Sequence, residues 1–446
     1  PSTRVSGRSS SQPGSTAPAR KSTPNPSPAS ALAQFRATTE TPSVGPKRKE
    51  TMVQRGMGLP VLPDPSDGDL RAVVQRVLDD HWVPEGYAAP NTGVYPWQWL
   101  WDSCFHVLIW RALGDRDRAQ RELAEMFRPQ GPSGFVPHVN YVRSPGFHED
   151  LWGRRDGSAI TQPPMYGHAV AELVRAGWPP DDEVVAFAVS GLRFLLEHRA
   201  RDGNGLVLAC HPWETGTDDS PRWDDRCPDG FDRSRWASVK DRLVSTIETG
   251  SDGEPLHNPV FPVAPTGFNA LIAFNARELA AVVDDAGLAE EGDQLAAALV
   301  DRWSEEAGTW VDAGPTADGS GRVRTLDALL PLLVDDEPGR AATVVDQLLD
   351  PRAFGGPAGP AGVHRAEPTF NPDAYWRGPV WPQLAYLVVL AVERHSPTAA
   401  AHLARTTVAG AWASGLAEYW NPDTGAGLGA IPQSWSGLAL VLAKRR

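Results

Sequence analysis

Apolar residues recur at helical spacing along most of the chain, and strand-like alternation is scarce. From Asp67 onward, Leu70, Val73, Val74 and Val77 share one face, with Ser66 or Asp67 as the candidate N-cap. The same period predicts helices at about 102–113, 116–128, 163–176, 181–199, 266–286 and 288–306. It predicts further ones at about 325–335, 338–350, 381–395, 397–413 and 434–445, about twelve in all. Long loops rich in Gly and Pro join them. No βαβ rhythm and no glycine-rich fingerprint is present, which disfavours a nucleotide-binding sheet. The fold class is all-α. A solenoid needs a sequence repeat of fixed period, and none is evident. A bundle does not need such large loops. A toroid of six inner and six outer helices fits, although the count alone does not select it.

Charge and hydropathy exclude several partners. Of the 446 residues, the first 50 carry a net +6 and the rest −19. An acidic body lacks the clustered Lys and Arg of a nucleic-acid groove. The longest apolar run, Leu384 to Val392, is far short of the roughly 20 residues that span a bilayer, so no membrane span is expected. Cys104, Cys210 and Cys227 are too few, and odd in number, for a disulfide framework. Reduced thiols in a cytoplasmic protein are the expectation. Residues 1–56 are Ser/Pro-rich, basic and poor in large apolar side chains, and are read as a disordered, dispensable tail. Met57 is a candidate start of the natural chain, leaving 57–446 as one domain.

The loops concentrate tryptophan and acids. The chain has 17 Trp against 7 Tyr, and an indole offers a flat apolar face with one N–H donor. That suits a Trp-rich core, or a pocket for sugars. In Tyr95-Pro-Trp-Gln-Trp-Leu-Trp-Asp-Ser103, Trp97, Trp99 and Trp101 alternate before Asp102. Taken alone this is equally a core strand entering a helix, with Asp102 or Ser103 as N-cap. Gln162 precedes a helix expected to begin at Pro163. Its amide suits a sugar hydroxyl, though an exposed Gln would read the same way. The segment 211–225 packs Glu214, Asp218, Asp219, Asp224 and Asp225 around Trp213, Gly216 and Trp223. Burial among such rings raises a carboxyl's pKa, as a general acid requires. Tyr375, Trp376 and Trp381 surround Arg377, which could pair with a catalytic carboxylate or brace its loop. Glu418 stands beside two aromatics before a Gly-rich turn. Two carboxylates in aromatic surroundings, distant in sequence, suggest acid/base cleavage of a glycosidic bond.

These strings together resemble glycoside hydrolase family 63, especially its bacterial mannosylglycerate and glucosylglycerate hydrolases. The matching strings are YPWQWLWDS, GFVPHVN, AITQPP, HPWETGTDDSPRWDD, YWRGPVWP and AEYWNPDTGAGLGAIPQSWS, in family order over residues 95–436. The resemblance implies an (α/α)6 barrel, a six-hairpin toroid, and an inverting hydrolase of small α-glucosides or α-mannosides. It implies Asp218 as general acid and Glu418 as general base, with carboxyls roughly 6.5–9.5 Å apart. It implies a sugar pocket of Tyr95, Trp99, Trp101, Asp102, Gln162, Trp213, Gly216, Tyr375, Trp376, Arg377 and Trp381. No cofactor is implied.

Two departures from the family pattern matter. Its WESGMDNS reads WETGTDDS here, so Thr217 replaces Met and Asp219 replaces Asn beside the expected acid. A second carboxylate there could raise the acid's pKa or compete for its role. Beyond Asp225 the match weakens, and Arg226, Arg233 and Arg235 are available for the glycerate carboxylate. The aglycone and the oligomeric state are left open. The alternatives are a trehalase-like or other α-glucosidase acting on neutral sugars, an epimerase or isomerase using His138, His211 or His364, and a non-catalytic sugar-binding protein. No His or Cys spacing suggests a metal, and the acids of 218–225 read as solvated rather than as a Ca²⁺ site.

Overall fold

Helices that are apolar all round end up inside, and amphipathic ones outside. A computed structural model of the chain describes residues 62–446 apart from 228 and 315–322. The tail reading for residues 1–56 and the start at Met57 lie outside the described residues. The helices are α1 (Asp67–His81), α2 (Leu100–Leu113), α3 (Arg116–Met126), α4 (Tyr166–Arg175), α5 (Asp182–Arg193) and α6 (Arg233–Val244). They continue as α7 (Thr266–Val283), α8 (Ala286–Val300), α9 (Pro338–Leu349), α10 (Pro382–Glu393), α11 (Pro397–Ala413) and α12 (Leu438–Leu442). A 3₁₀ run, Leu326–Leu333, lies between α8 and α9.

Six segments close a ring. In order, α2, α4, α7, the run Leu326–Leu333, α10 and α12 each pack on the next, and α12 returns onto α2. Helix α10 shows why these are inner elements: its residues from Pro382 to Val389 are buried without a polar face. On the outside, α3 buries only Ala119, Glu122, Leu123 and Met126, one stripe at helical spacing. Helices α3, α5, α8 and α11 back α2, α4, α7 and α10, while α9 packs on α11. Helix α1 covers α12, so the sixth pair joins the two ends of the described chain. This is the expected (α/α)6 toroid. Its apolar core runs from Leu70 to Leu442, and none of its described helices is long and apolar enough to cross a membrane.

The connections are unequal. Inner-to-outer links are short, for example residues 114–115, 284–285 and 394–396. Outer-to-inner links are long: 82–99, 127–165, 194–265, 301–325, 350–381 and 414–437. All the long loops therefore emerge at the N-terminal ends of the inner segments. Four two-stranded antiparallel ribbons stiffen them, among them Gln98–Trp99 with Val139–Asn140 and Tyr419–Trp420 with Gly427–Leu428.

The structure corrects several sequence expectations. The stretch 325–335 is a 3₁₀ run because Pro331 lies inside it. The prolines at 163 and 164 stay outside α4, which begins at Tyr166. The N-cap of α2 is Trp99, not Asp102 or Ser103, and it makes no side-chain cap bond. Trp303 and Ser304, expected in a helix, pair with Trp310 and Thr309 as a ribbon. Helix α6 was not expected, and it belongs to neither ring; it is inserted in the loop between α5 and α7.

Candidate active site

Five of the outer-to-inner loops, 82–99, 127–165, 194–265, 350–381 and 414–437, carry functional side chains to one end of the toroid. The Asp218 region follows a 3₁₀ turn, Pro212–Thr215, that ends at Gly216 with φ 68°. A Cβ on Gly216 would lie 2.5 Å from Cη2 of Trp101, so glycine lets that indole pack on the turn. The backbone beyond is pinned by indoles: Trp223 donates to the Thr217 carbonyl at 3.0 Å and Trp236 to the Asp218 carbonyl at 2.7 Å. Lys240 donates to Oδ2 of Asp218 at 3.0 Å and to Oδ1 of Asp219 at 2.5 Å. Arg233 Nε donates to Oδ2 of Asp219 at 3.1 Å. Burial and the neighbouring Asp218 push the Asp219 carboxyl up, against the pull of Lys240 and Arg233.

Glu418 is held differently. Tyr95 Oη donates to its Oε1 at 3.0 Å, and the Ala430 N–H to its Oε2 at 2.9 Å. Trp435 donates to its carbonyl at 3.0 Å. Gly429, at φ 72°, gives the carboxyl room: a Cβ there would lie 2.3 Å from Oε2. Burial pushes the Glu418 carboxyl up to about 7; the charge of Asp218 adds to this, and the bonds from Ala430 and Tyr95 oppose it. Asp218 and Glu418 thus feel each other, although no hydrogen bond joins them. Asp102, in the first turn of α2, is 3% exposed. Burial and the charge of Glu418 push its carboxyl well above the usual range.

Aromatic rings wall the space. Trp376 and Trp381 stack at 3.5 Å between centroids, and Trp381 stacks on Tyr419 at 4.6 Å. Tyr375 meets Trp376, Trp381 and Tyr419 edge-on. Trp435 stands edge-on to both Trp101 and Trp381, at 6.0 Å from each. Trp376 holds φ 60°, a conformation that costs a bulky residue about 1–3 kcal/mol and clusters at functional sites.

The other expected residues are placed as follows. Gln162 is buried, not exposed, and accepts a 3.4 Å bond from the Trp101 N–H. Trp99 meets Tyr95 and His138 edge-on, while Trp97 packs away on Tyr141 and Phe147. Trp213 packs on His211 and Trp152. Arg377 grips Asp224 through two bonds of 2.9 and 2.5 Å and lies over the Phe231 ring. It braces two loops against each other and pairs with neither Asp218 nor Glu418.

Sequence reasoning missed Lys240 and Trp236, and left Arg233 unplaced. A signal was present: Trp236, Val239, Lys240 and Leu243 follow helical spacing behind the N-cap Asp232. A lysine in an apolar stripe is the mark of a buried cation seeking carboxylates.

A toroid whose loop-bearing end gathers two buried carboxyls and a wall of indoles defines an acid/base carbohydrate hydrolase. The chain belongs to the mannosylglycerate hydrolase MGH1-like glycoside hydrolase family, whose model matches residues 95–436. It is a glycoside hydrolase. Mannosylglycerate hydrolase of Thermus thermophilus is 31% identical over 405 residues, covering 78% of this chain and 94% of the relative. Glucosylglycerate hydrolase of Mycolicibacterium hassiacum is 27% identical, covering 78% of this chain and 92% of the relative. A crystal structure of the family 63 mannosylglycerate hydrolase from T. thermophilus, in complex with Tris and D-glycerate, superposes with a TM-score of 0.71 at 28% identity, covering 84% of this chain and all of that one. This membership overturns the epimerase alternative. The candidate base His211 is tied at both nitrogens: Nε2 donates to the Lys240 carbonyl and Nδ1 accepts from the Trp213 N–H. Burial holds the His211 and His138 imidazoles down at about 3.

Proposed function

We propose that this hydrolase cleaves α-linked mannosylglycerate or glucosylglycerate with inversion, using Asp218 as general acid and Glu418 as general base. The observation that carries the assignment is the pair of buried carboxyls in one aromatic-walled space, each fixed by a separate set of donors. In the reaction, protonated Asp218 gives its proton to the glycosidic oxygen. Ionised Glu418 takes a proton from a water attacking the opposite face of the sugar. A carboxyl balanced at about 7 accepts a proton readily near neutral pH. Trp381, sandwiched between Trp376 and Tyr419, makes the aromatic wall a rigid stack.

The printed names of the relatives support the glycerate substrates. So does Arg233, whose guanidinium keeps 35% of its side chain exposed, lies 4.8 Å over Tyr375 and acts on both Asp218 and Glu418. A partly exposed cation beside the acid is a receptor for a carboxylate aglycone. The reading includes a cytoplasmic setting, which three buried free thiols suit.

A second reading exchanges the two roles. Lys240 is bonded to Asp218, whereas Glu418 is the carboxyl raised toward neutrality. Hydrolysis of mannosylglycerate, glucosylglycerate, trehalose and glucosylglycerol, with the product anomer read by NMR, tests the substrate class and the inversion. Release of the β-sugar from a glycerate glycoside is the expected outcome. Activity on the neutral glycosides alone would overturn the glycerate assignment. Glycosides with a nitrophenyl leaving group need little acid assistance, so they separate the roles. They should restore Asp218→Asn and not Glu418→Gln, and the reverse pattern would exchange the two.

A further inference from the structure

Lys240 lies on α6, a helix inserted in a loop outside the two rings, and is 4% exposed. Burying an ammonium costs several kcal/mol unless it is well paired. Its partners are Asp218 Oδ2 and Asp219 Oδ1, and the rings of Trp213 and Trp236 lie 5.6 and 5.9 Å from Nζ. The other charged or titratable groups facing this cluster are Arg233 on the same helix, Tyr95, Tyr375 and Tyr419 on their loops, and Glu418. His211, held neutral by burial, donates from Nε2 to the backbone carbonyl of Lys240. Asp219 has both oxygens occupied, one by Lys240 and one by Arg233. Asp218 has only Oδ2 occupied; among the described residues no hydrogen bond reaches Oδ1, and the side chain keeps 11% exposure.

We propose that Lys240 is a positioning residue for Asp218: its ammonium holds Oδ2, leaving Oδ1 to carry the proton to the glycosidic oxygen, and Asp219 is the counter-charge that sets how tightly Lys240 holds it. The inference rests on the assignment of Asp218 as the acid. In the step, the Oδ1–H bond breaks and the leaving oxygen gains that proton, keeping the electron pair of the broken C–O bond. The attacking water forms the new C–O bond and gives a proton to Glu418. Lys240 keeps its three protons throughout and neutralises the Asp218 carboxylate that results. Asp219, which stands where the family string has Asn, offsets that ammonium so that Asp218 takes up its next proton from solvent.

The two partners therefore act on Asp218 with opposite signs. Without the ammonium, Asp218 holds its proton to higher pH; without the Asp219 charge, Lys240 acts on Asp218 alone and the proton is lost at lower pH. The optimum of kcat/KM is the midpoint of the two limbs, whichever carboxyl owns which. A neighbouring charge moves one limb by about 1–3 pH units, so the optimum moves by about half of that.

The experiment is the pH dependence of kcat and kcat/KM on a glycerate glycoside for wild type, Lys240→Met, Lys240→Arg, Asp219→Asn and Asp218→Asn. The expected result is an optimum moved to higher pH in Lys240→Met and to lower pH in Asp219→Asn. In Lys240→Met, kcat should fall more than KM rises, and Lys240→Arg should keep the wild-type optimum. Unchanged optima, or shifts in the same direction, beside an inactive Asp218→Asn would overturn this inference alone. Full activity in Asp218→Asn would overturn the acid assignment and this inference with it. If Lys240→Met does not fold, the near-isosteric Asp219→Asn decides: a shift to lower pH upholds the inference, and no shift or a rise overturns it.

Discussion

Asp218 and Glu418 are nearly equally buried, yet the protein holds them by opposite means. Around Asp218 the charges are balanced in pairs, Lys240 and Arg233 against Asp218 and Asp219. Glu418 touches no cation; its partners are a phenol and a peptide N–H. In the first environment the two cations offset the cost of burying two carboxyls. The second leaves the cost of burial only partly met, and the Glu418 carboxyl rises to about 7. Side chains of one chemical type are therefore held by different partners within one space, cations for one and neutral donors for the other.

The strongest way to break this comparison is to neutralise each carboxyl in turn. Asp218→Asn and Glu418→Gln should each lower turnover by about 10²–10⁴-fold, the usual worth of a general acid or base. Circular dichroism should show both variants folded. Wild-type turnover in either would remove that residue from the mechanism.

A second difference appears in stability. Glu418 has a folded-state pKa raised from 4.5 to about 7. A raised carboxyl favours the fold fully below the unfolded value, and that contribution is lost as pH climbs through the folded one. Glu418→Gln should match wild type near pH 4 and exceed it above pH 7, by up to about 3 kcal/mol at 1.36 kcal/mol per tenfold change. Asp218→Asn should show no such alkaline gain, because it takes from Lys240 one of its two carboxylates. Denaturant unfolding at pH 4, 6 and 8 measures both. Equal pH profiles for the two variants would erase the contrast.

The smallest expected effect sharpens it. Tyr95 Oη donates to Glu418 and favours its ionised form. Tyr95→Phe removes a bond to a charged group, worth about 1.5 kcal/mol. The limb that Glu418 sets should move up by about one pH unit, with the Asp218 limb unmoved. A displacement of the Asp218 limb instead would mean that the two neighbourhoods are not separate.

Much of this architecture is legible in the residues. The boundaries of α11 match the sequence reading, and those of α10 fall within it. The outer α3 differs from them by its single apolar stripe. The aromatic and acidic strings fall in the outer-to-inner loops, and Gly216 is a glycine because Trp101 lies against it. Arg377 was ambiguous because a guanidinium beside acids pairs with whichever carboxylate the fold brings near, and that is Asp224. Helix α6 carries its own periodicity, but nothing local says that Lys240 reaches two carboxylates more than twenty residues upstream.

The sequence by itself determined the helical fold class and the loops that carry the chemistry, because these follow from spacing and side-chain type along a short stretch. Only the tertiary structure decided which carboxyl is paired and which is raised. Tyr95 and Glu418 meet across 323 positions, and Asp218 acts on Glu418 through space. Desolvation and Coulomb interaction depend on distance in space and on excluded water, and neither is a property of neighbours along the chain.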